Sequence, residues 1–407
     1  MPGWLARLGA ALASVAILAS PQTAPAQAPA FDLQAHRGGR GETTEESLRA
    51  FAKSLELGVS TLELDIVITK DGQPLVWHDP TIDAEKCTDT GPGFAGDPAY
   101  PYVGKLVHEL TLVQIETLDC GRRLAEFPNA EVVRGNRIAT LPQVFALADA
   151  YRAGVRYNIE TKVEADHPGA SAEPQEFVDV ILAAVRAAGK VDRVEIQSFD
   201  WRTLPMVHQA EPSIPLVALY DEETWVPDSP WLAGINAALV GDPMIGALMV
   251  GANIVSPRYA LVTGKPHVDH AHSLGLKIIP WTVNDADAMR EQIGYGVDGI
   301  ITDFPTLLRS VLAELGMPLP PTYHRAKGEA NTDPGVDTLV RPTVRFLGLA
   351  RHTVDQDALS RIELFDAVSA SAVVGAGDAP DHLRAQQPCR RVDERCHSEE
   401  LVDDRGV

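Results

Sequence analysis

Short apolar runs alternate with longer amphipathic stretches from residue 31 to about residue 310. The runs cover residues 33–37, 61–68, 156–160, 194–198, 215–219, 253–256, 277–282 and 298–302. They are short and mostly apolar, as in parallel strands buried on both faces. Helical periodicity fills most of the gaps, in "ESLRAFAKSLELG", "LPQVFALADAYRAG", "PQEFVDVILAAVRAAG", "WRTLPMVHQA", "VDHAHSLG" and "ADAMREQIGYG". Several of these end in Gly, which enters the left-handed conformation that closes a helix. Eight β/α units in one stretch predict an α/β protein with a (β/α)8 TIM barrel. An open doubly wound sheet is the other arrangement such an alternation allows.

One further run, residues 73–79, follows Asp71-Gly72, a two-residue hairpin signal. If those two residues are the turn, Lys70 pairs with Gln73 and, counting outward, Asp65 faces His78. Residues 80–140 are rich in Gly, Pro, Asp and Tyr and too long for a plain connection. They predict a small insertion subdomain over the barrel mouth. The alternation ends near residue 320, so the barrel is expected to span residues 31–319. Residues 320–407 then form a C-terminal tail, disordered or loosely packed.

The N-terminus changes the expected compartment. Arg7 precedes a small apolar run over residues 8–19, too short to cross a bilayer comfortably. Ala24-Pro25-Ala26 and Ala26-Gln27-Ala28 follow as small-residue cleavage patterns, so residues 1–28 read as a secretory signal peptide. Export to the periplasm or the medium permits disulfides. Among Cys87, Cys120, Cys389 and Cys396 there is no CxxC pair. Cys87 and Cys120 share the insertion and are expected to bond. The net charge of −21 argues against nucleic acid and against an anionic membrane surface as partners. No segment after the expected leader is long and apolar enough to span a membrane.

Barrels carry their chemistry at the carboxyl ends of their strands. There the sequence offers His36 and Arg37, then Glu63 and Asp65 on one face of a strand, and His78 on the hairpin. It adds Glu160 with Lys162, Gln197, Trp281 and Asp303. Glu63, Asp65 and Glu160 suit a hard divalent cation, Ca²⁺ or Mg²⁺. Two histidines can divide the general acid and general base roles. Arg37 and Lys162 can hold a phosphate, one as a fork and one as a point charge. Together these point to cleavage of a phosphate ester. Taken singly, the two carboxylates of residues 63 and 65 are equally well explained by an ion pair with Arg37 or Lys162. "HVDHAH" offers His267, His270 and His272, but only the first two share a helical face, and on the wrong side of the barrel.

The same residues resemble the glycerophosphodiester phosphodiesterase family, of the phospholipase C-like phosphodiesterases. The resemblance rests on His36-Arg37-Gly38, "ELDI" over residues 63–66, "TKDG" at the turn, His78-Asp79 and Glu160-Thr161-Lys162. "QSFDW", "PWTVND" and "DGIITDFP" are similar landmarks, and the likeness runs from residue 33 to about 312. It implies Glu63, Asp65 and Glu160 as ligands of one divalent cation and His36 and His78 as the acid/base pair. It implies a substrate held by Arg37, Lys162 and Trp281. The reaction it implies turns a glycerophosphodiester and water into glycerol 3-phosphate and an alcohol. Attack by a neighbouring glycerol hydroxyl would first give a cyclic phosphate. The alternative on the same barrel is a phospholipase D-like or phosphoinositide-type lipid phosphodiesterase. A departure lies at Thr44-Glu45-Glu46-Ser47, where the family often has Pro-Glu-Asn-Thr. Thr43 and Glu46 still predict a capping box, with a helix starting near Thr44. Gly38, Gly39 and Gly41 are expected to let backbone approach the ligand.

Overall fold

Each of the apolar runs becomes a strand of one sheet. A computed structural model of the protein describes residues 31–325. Residues 1–30, with the expected signal peptide, and residues 326–407, with Cys389 and Cys396, lie outside the described residues. The strands are β1 (Asp32–Ala35), β2 (Thr61–Ile68), β3 (Pro74–Val76), β4 (Arg156–Thr161), β5 (Val194–Ser198), β6 (Leu216–Tyr220), β7 (Ile254–Pro257), β8 (Lys277–Ile278) and β9 (Gly299–Thr302). Eight run parallel in the order β8-β7-β6-β5-β4-β2-β1-β9, and β3 pairs antiparallel with β2. Backbone bonds close the circle between β8 and β9: Asp298 N donates to Ile278 O, Val283 N to Ile301 O and Ile301 N to Pro280 O, each at 3.0 Å. This is the expected barrel and not an open sheet.

Alternation along the strands sorts two cores. Leu62, Leu64 and Ile66 of β2 and Leu33 and Ala35 of β1 point outward, into a continuous apolar shell with the surrounding helices. The inward positions differ around the ring. On one side Val217, Ile254, Ile279 and Ile301 pack together. On the other, β1, β2, β4 and β5 turn Gln34, Glu63, Asn158 and Gln197 inward, all buried. The strands of the apolar half are therefore apolar on both faces, as expected, while β1, β2, β4 and β5 are apolar mainly on their helix-facing side.

Helices cover the barrel where the periodicity predicts them. They include α1 (Leu48–Leu57), α3 (Leu141–Ala150), α4 (Pro174–Ala187), α5 (Thr203–Ala210), α8 (Lys265–Ser273), α9 (Ala286–Tyr295) and α10 (Pro305–Glu314). Short α2 (Leu112–Ile115), α6 (Ala237–Val240) and α7 (Pro243–Met249) lie in the loops. None of the described helices is long and apolar enough to cross a membrane. The insertion has its own core, built on Trp77, Ile82, Tyr102, Leu110, Ile115 and Leu118 around a disulfide between Cys87 and Cys120. It returns to the loop after β1, where Glu131 N donates to Glu42 O and Thr44 N to Glu131 O. Past α10 the chain stays tied to the barrel: Tyr323 N donates to Leu55 O at 2.9 Å, beyond the expected boundary at residue 319.

Candidate active site

The loop after β1 begins earlier than expected. The strand stops at Ala35, and His36–Gly38 form a 3-10 turn in which Arg37, with φ of 49°, is left-handed. A non-glycine residue there is strained unless its surroundings hold it. Arg37 is held by its own amide, which donates to Glu63 Oε2 at 2.8 Å. Gly38 and Gly39 continue with positive φ, which any Cβ would oppose. A Cβ on Gly41 would meet the Phe304 ring at 2.5 Å. The glycines thus serve the turn and its packing. Nor does Thr43 cap the helix. Ser47 does, accepting from Ala50 N, and α1 starts at Leu48. Glu46 instead turns inward and accepts from Asp65 N at 3.0 Å.

The three carboxylates do converge. Parallel register sets Asp65 beside Glu160, and the period of two brings Glu63 onto the same inner face. Oxygens of Glu63, Asp65 and Glu160 lie within 4.8 Å of one another, all buried. Burial and the Asp65 charge push Glu63 well above its ordinary value. Burial pushes Glu160 up to about 8, with Asp65 adding to it and Lys162 opposing. Burial also acts on Asp65, but Arg37, Lys162 and the two histidines outweigh it and hold that carboxyl well below the usual range. Arg37 Nε sits 3.0 Å from Asp65 Oδ2, out of line for an N–H bond, so the contact is ionic and Oδ2 keeps no hydrogen-bond donor. Three crowded oxygen donors, two of them driven toward neutrality by burial and then by the Asp65 charge, are what a hard divalent cation relieves. The residues fit such an ion.

Each histidine is anchored through Nδ1 by an aspartate. His36 Nδ1 lies 2.5 Å from Asp303 Oδ1, and Asn284 Nδ2 donates to Asp303 Oδ2 at 2.7 Å. His78 Nδ1 lies 2.8 Å from Asp79 Oδ1, and Lys86 Nζ donates to Asp79 Oδ2 at 2.5 Å. Such anchoring fixes the ring and leaves Nε2 as the working nitrogen. Burial lowers His36, with Asp303 pulling the other way. Burial, with Arg37 and Lys162, lowers His78 to about 3. Burial thus favours the neutral form of both rings.

Lys162 Nζ lies 2.9 Å from Glu160 Oε1 and 6.0 Å from the centre of the Phe199 ring. Phe199 meets Trp281 edge-on at 5.3 Å, and Trp281 Nε1 donates to Ser256 O. Lys162, Phe199 and Trp281 thus form one wall. The hairpin register is one residue off the expected one. Ile66 pairs with Val76, and Trp77 N donates to Asp65 O, so Asp65 faces Trp77 and not His78. The loop holds three residues: Thr69 N donates to Gln73 O at 3.1 Å and Gly72, with φ of 70°, closes it. His78 still comes close enough for its charge to act on Asp65. The histidines of α8 stay apart from the site; His270 and His272 bond Asp242 and Asp298.

Four site residues went unassigned in the sequence reading. Glu45 accepts from Lys86 at 2.7 Å and from Arg40 at 2.9 Å, with Arg37 at 3.5 Å. Lys86 comes from the insertion, where no local pattern marks it, and Asn284 from the loop after β8, inside the "PWTVND" landmark but without a role assigned to it. Asp303 stood among the strand-end residues without a role; its role depends on barrel closure.

A buried carboxylate nest with two aspartate-anchored histidines, at the carboxyl end of a parallel barrel, defines a phosphoesterase-type site. The glycerophosphoryl diester phosphodiesterase family model matches residues 36–307. A glycerophosphodiester phosphodiesterase of Caldanaerobacter subterraneus is 30% identical, over 69% of this chain and 98% of its own. The crystal structure of a candidate glycerophosphoryl diester phosphodiesterase from Silicibacter pomeroyi superposes with a TM-score of 0.60 at 27% identity, over 72% of this chain and 96% of its own. An Oleispira antarctica phosphodiesterase, solved with the product sn-glycerol-3-phosphate, shares the fold at a TM-score of 0.52 and 17% identity, over 69% of this chain and 96% of its own. The chain belongs to the glycerophosphoryl diester phosphodiesterase family. It is an enzyme that hydrolyses glycerophosphodiesters.

Proposed function

We propose that this hydrolysis depends on one divalent cation, Ca²⁺ or Mg²⁺, and on proton transfer by His36 and His78, giving glycerol 3-phosphate and an alcohol. The observation that carries the proposal is the convergence of Glu63, Asp65 and Glu160 within 4.8 Å, beside two histidines anchored by acids. A cation held by those three carboxylates would supply Lewis-acid neutralisation of the phosphodiester's charge. The chain's own groups do the rest. Arg37 and Lys162 sit beside the carboxylates and orient the phosphate oxygens. One histidine takes the proton of the attacking hydroxyl as its oxygen bonds to phosphorus. The other, protonated once the phosphodiester anion lies beside it, gives a proton to the departing alkoxide as its P–O bond breaks. Asp303 and Asp79 keep both rings turned for the task. Trp281 and Phe199 offer an apolar wall for the glycerol or alcohol carbons. The product complex of the Oleispira protein on the same fold supports the substrate class.

Turnover of a glycerophosphodiester and of an aryl phosphodiester in His36→Ala and His78→Ala tests the proton-transfer roles. Each change should cost about 10²–10⁴ in turnover of the natural diester. The histidine acting as acid should cost far less with the aryl leaving group, which needs no proton. Wild-type turnover in either variant would remove that histidine from the mechanism.

We also propose that the enzyme works outside the cytoplasm, after removal of residues 1–28. Arg7, the short apolar run and the Ala-rich patterns support export, as does the Cys87–Cys120 disulfide. Sequencing the N-terminus of the exported protein checks this; an intact Met1 would contradict it.

A further inference from the structure

Three side-chain amides in the barrel interior connect Glu63 to the opposite end of the barrel. Gln197 Nε2 donates to Glu63 Oε1 at 2.7 Å, and Gln197 Oε1 accepts from Asn158 Nδ2 at 2.9 Å. Asn158 Nδ2 also donates to Gln34 Oε1 at 2.9 Å. Gln34 Nε2 donates in turn to Glu195 Oε1 at 2.9 Å and to Asp32 Oδ2 at 3.1 Å. All six residues are buried. Strand register explains the meeting, for Asn158 lies beside Glu63 on one side and Glu195 on the other.

With Glu63 ionised, as a cation ligand is, and Asp32 paired with Arg156 at the far end, the line has acceptor-only carboxylates at both ends. Its amides must therefore turn their N–H groups outward in both directions, and one residue between them must give both hydrogens. Asn158 is that residue. With Asn158 so placed, Gln197 cannot flip without setting its oxygen against Glu63. Space filling does not demand these amides, since the other half of the interior is filled by Val217, Ile254, Ile279 and Ile301. Burying polar groups costs free energy that apolar side chains would avoid. What the line achieves is at Glu63. Oε1 takes one bond from Gln197 and Oε2 one from the Arg37 amide, so the carboxylate cannot rotate. Each oxygen keeps capacity for a cation.

We infer that Gln197 and Asn158 are positioning residues that hold Glu63 in its cation-ligating pose, with Gln34, Glu195 and Asp32 setting the amide directions from the far end of the barrel. This rests on the reading of Glu63 as a metal ligand. Outer partners of this kind commonly govern metal affinity as strongly as activity.

Calorimetric titration of the chelator-stripped protein with Ca²⁺ and with Mg²⁺ tests it. The variants are Gln197→Met and Asn158→Leu, with Ile279→Val from the apolar half as control and a melting curve for each before cation is added. Gln197→Met should bind the cation about 10–100-fold more weakly. Asn158 makes no hydrogen bond to Glu63, and Asn158→Leu should still bind more weakly than wild type. Ile279→Val should melt lower and bind as wild type does. If Gln197→Met does not fold, Asn158→Leu carries the test. Wild-type affinity in the folded relay variants would overturn the inference while leaving the metal site intact. A wild-type protein that binds neither cation would overturn the metal reading itself.

Discussion

His36 and Asp303 stand 267 positions apart in sequence and 2.5 Å apart in space, Nδ1 to Oδ1. The contact exists because β9 closes the barrel against β1, with Ala35 in register with Thr302. Asp303 is itself held by Asn284, through a donated bond to Oδ2 and its own amide to Asn284 Oδ1 at 3.0 Å. The pair ties up Nδ1 and leaves Nε2 as the nitrogen available for proton transfer.

Asp303→Asn should therefore cut turnover by about 10²–10⁴, the range that acid–base catalysis contributes. The sign of the pH effect follows from the causes. Burial lowers the His36 value and Asp303 raises it, so losing the Asp303 charge lowers it further. The limb of the kcat/KM profile governed by His36 should move to lower pH in the variant. A limb that stays put or moves to higher pH would contradict the pairing.

Glu45 binds three cations, and its contribution to stability should be pH-dependent. Burial disfavours the ionised form, but Lys86, Arg37 and Arg40 outweigh it and hold the carboxyl well below its ordinary value of 4.5. A depressed acid stabilises the fold above its unfolded value and loses that contribution as pH falls through the folded one. Glu45→Gln should cost about 3 kcal/mol at pH 7, the low end for breaking a buried pair, because each cation keeps a second acid. Chemical denaturation at both pH values checks this. The cost should shrink as pH drops below 4.5. A constant cost would mean that Glu45 acts by shape alone.

Much of the fold was legible in the sequence, since strand and helix periods are local; the cap of α1, at Ser47 and not Thr43, was not. The register of the β2–β3 hairpin was not. Asp71-Gly72 fits a two-residue turn, but Gly72 also serves as the left-handed end of the three-residue loop that forms. That single step moves His78 from opposite Asp65 to one residue beyond it. Glu63, Asp65, Glu160 and both histidines were legible because ionisable groups inside apolar strands need partners. Gln34, Asn158 and Glu195 were not, because a polar residue at an inward position looks the same at either end of a strand. Lys86 reaches Glu45 and Asp79 from an insertion without periodicity, so only the folded chain reveals it.

Crowding of the carboxylates should also appear in the melting curve. Glu160 rises to about 8 from 4.5, chiefly by burial. A raised acid destabilises the fold increasingly as pH climbs from its unfolded value to its folded one. Cation binding relieves that repulsion. Saturating Ca²⁺ or Mg²⁺, at about 100 times Kd, should stabilise by about 2.7 kcal/mol. The gain in Tm at a fixed cation concentration should be larger at pH 8 than at pH 5. Differential scanning fluorimetry reads both; an equal gain at the two pH values would mean that Glu160 is not among the ligands.

The central claim is that Glu63, Asp65 and Glu160 hold a divalent cation that the hydrolysis requires. The most direct test is release of glycerol 3-phosphate from a glycerophosphodiester by enzyme stripped with chelator and dialysed free of it, with cation then added back. The account predicts that turnover disappears on stripping and returns with Ca²⁺ or Mg²⁺, and that in Asp65→Asn neither ion restores it. Full turnover in the stripped wild-type enzyme would contradict the account.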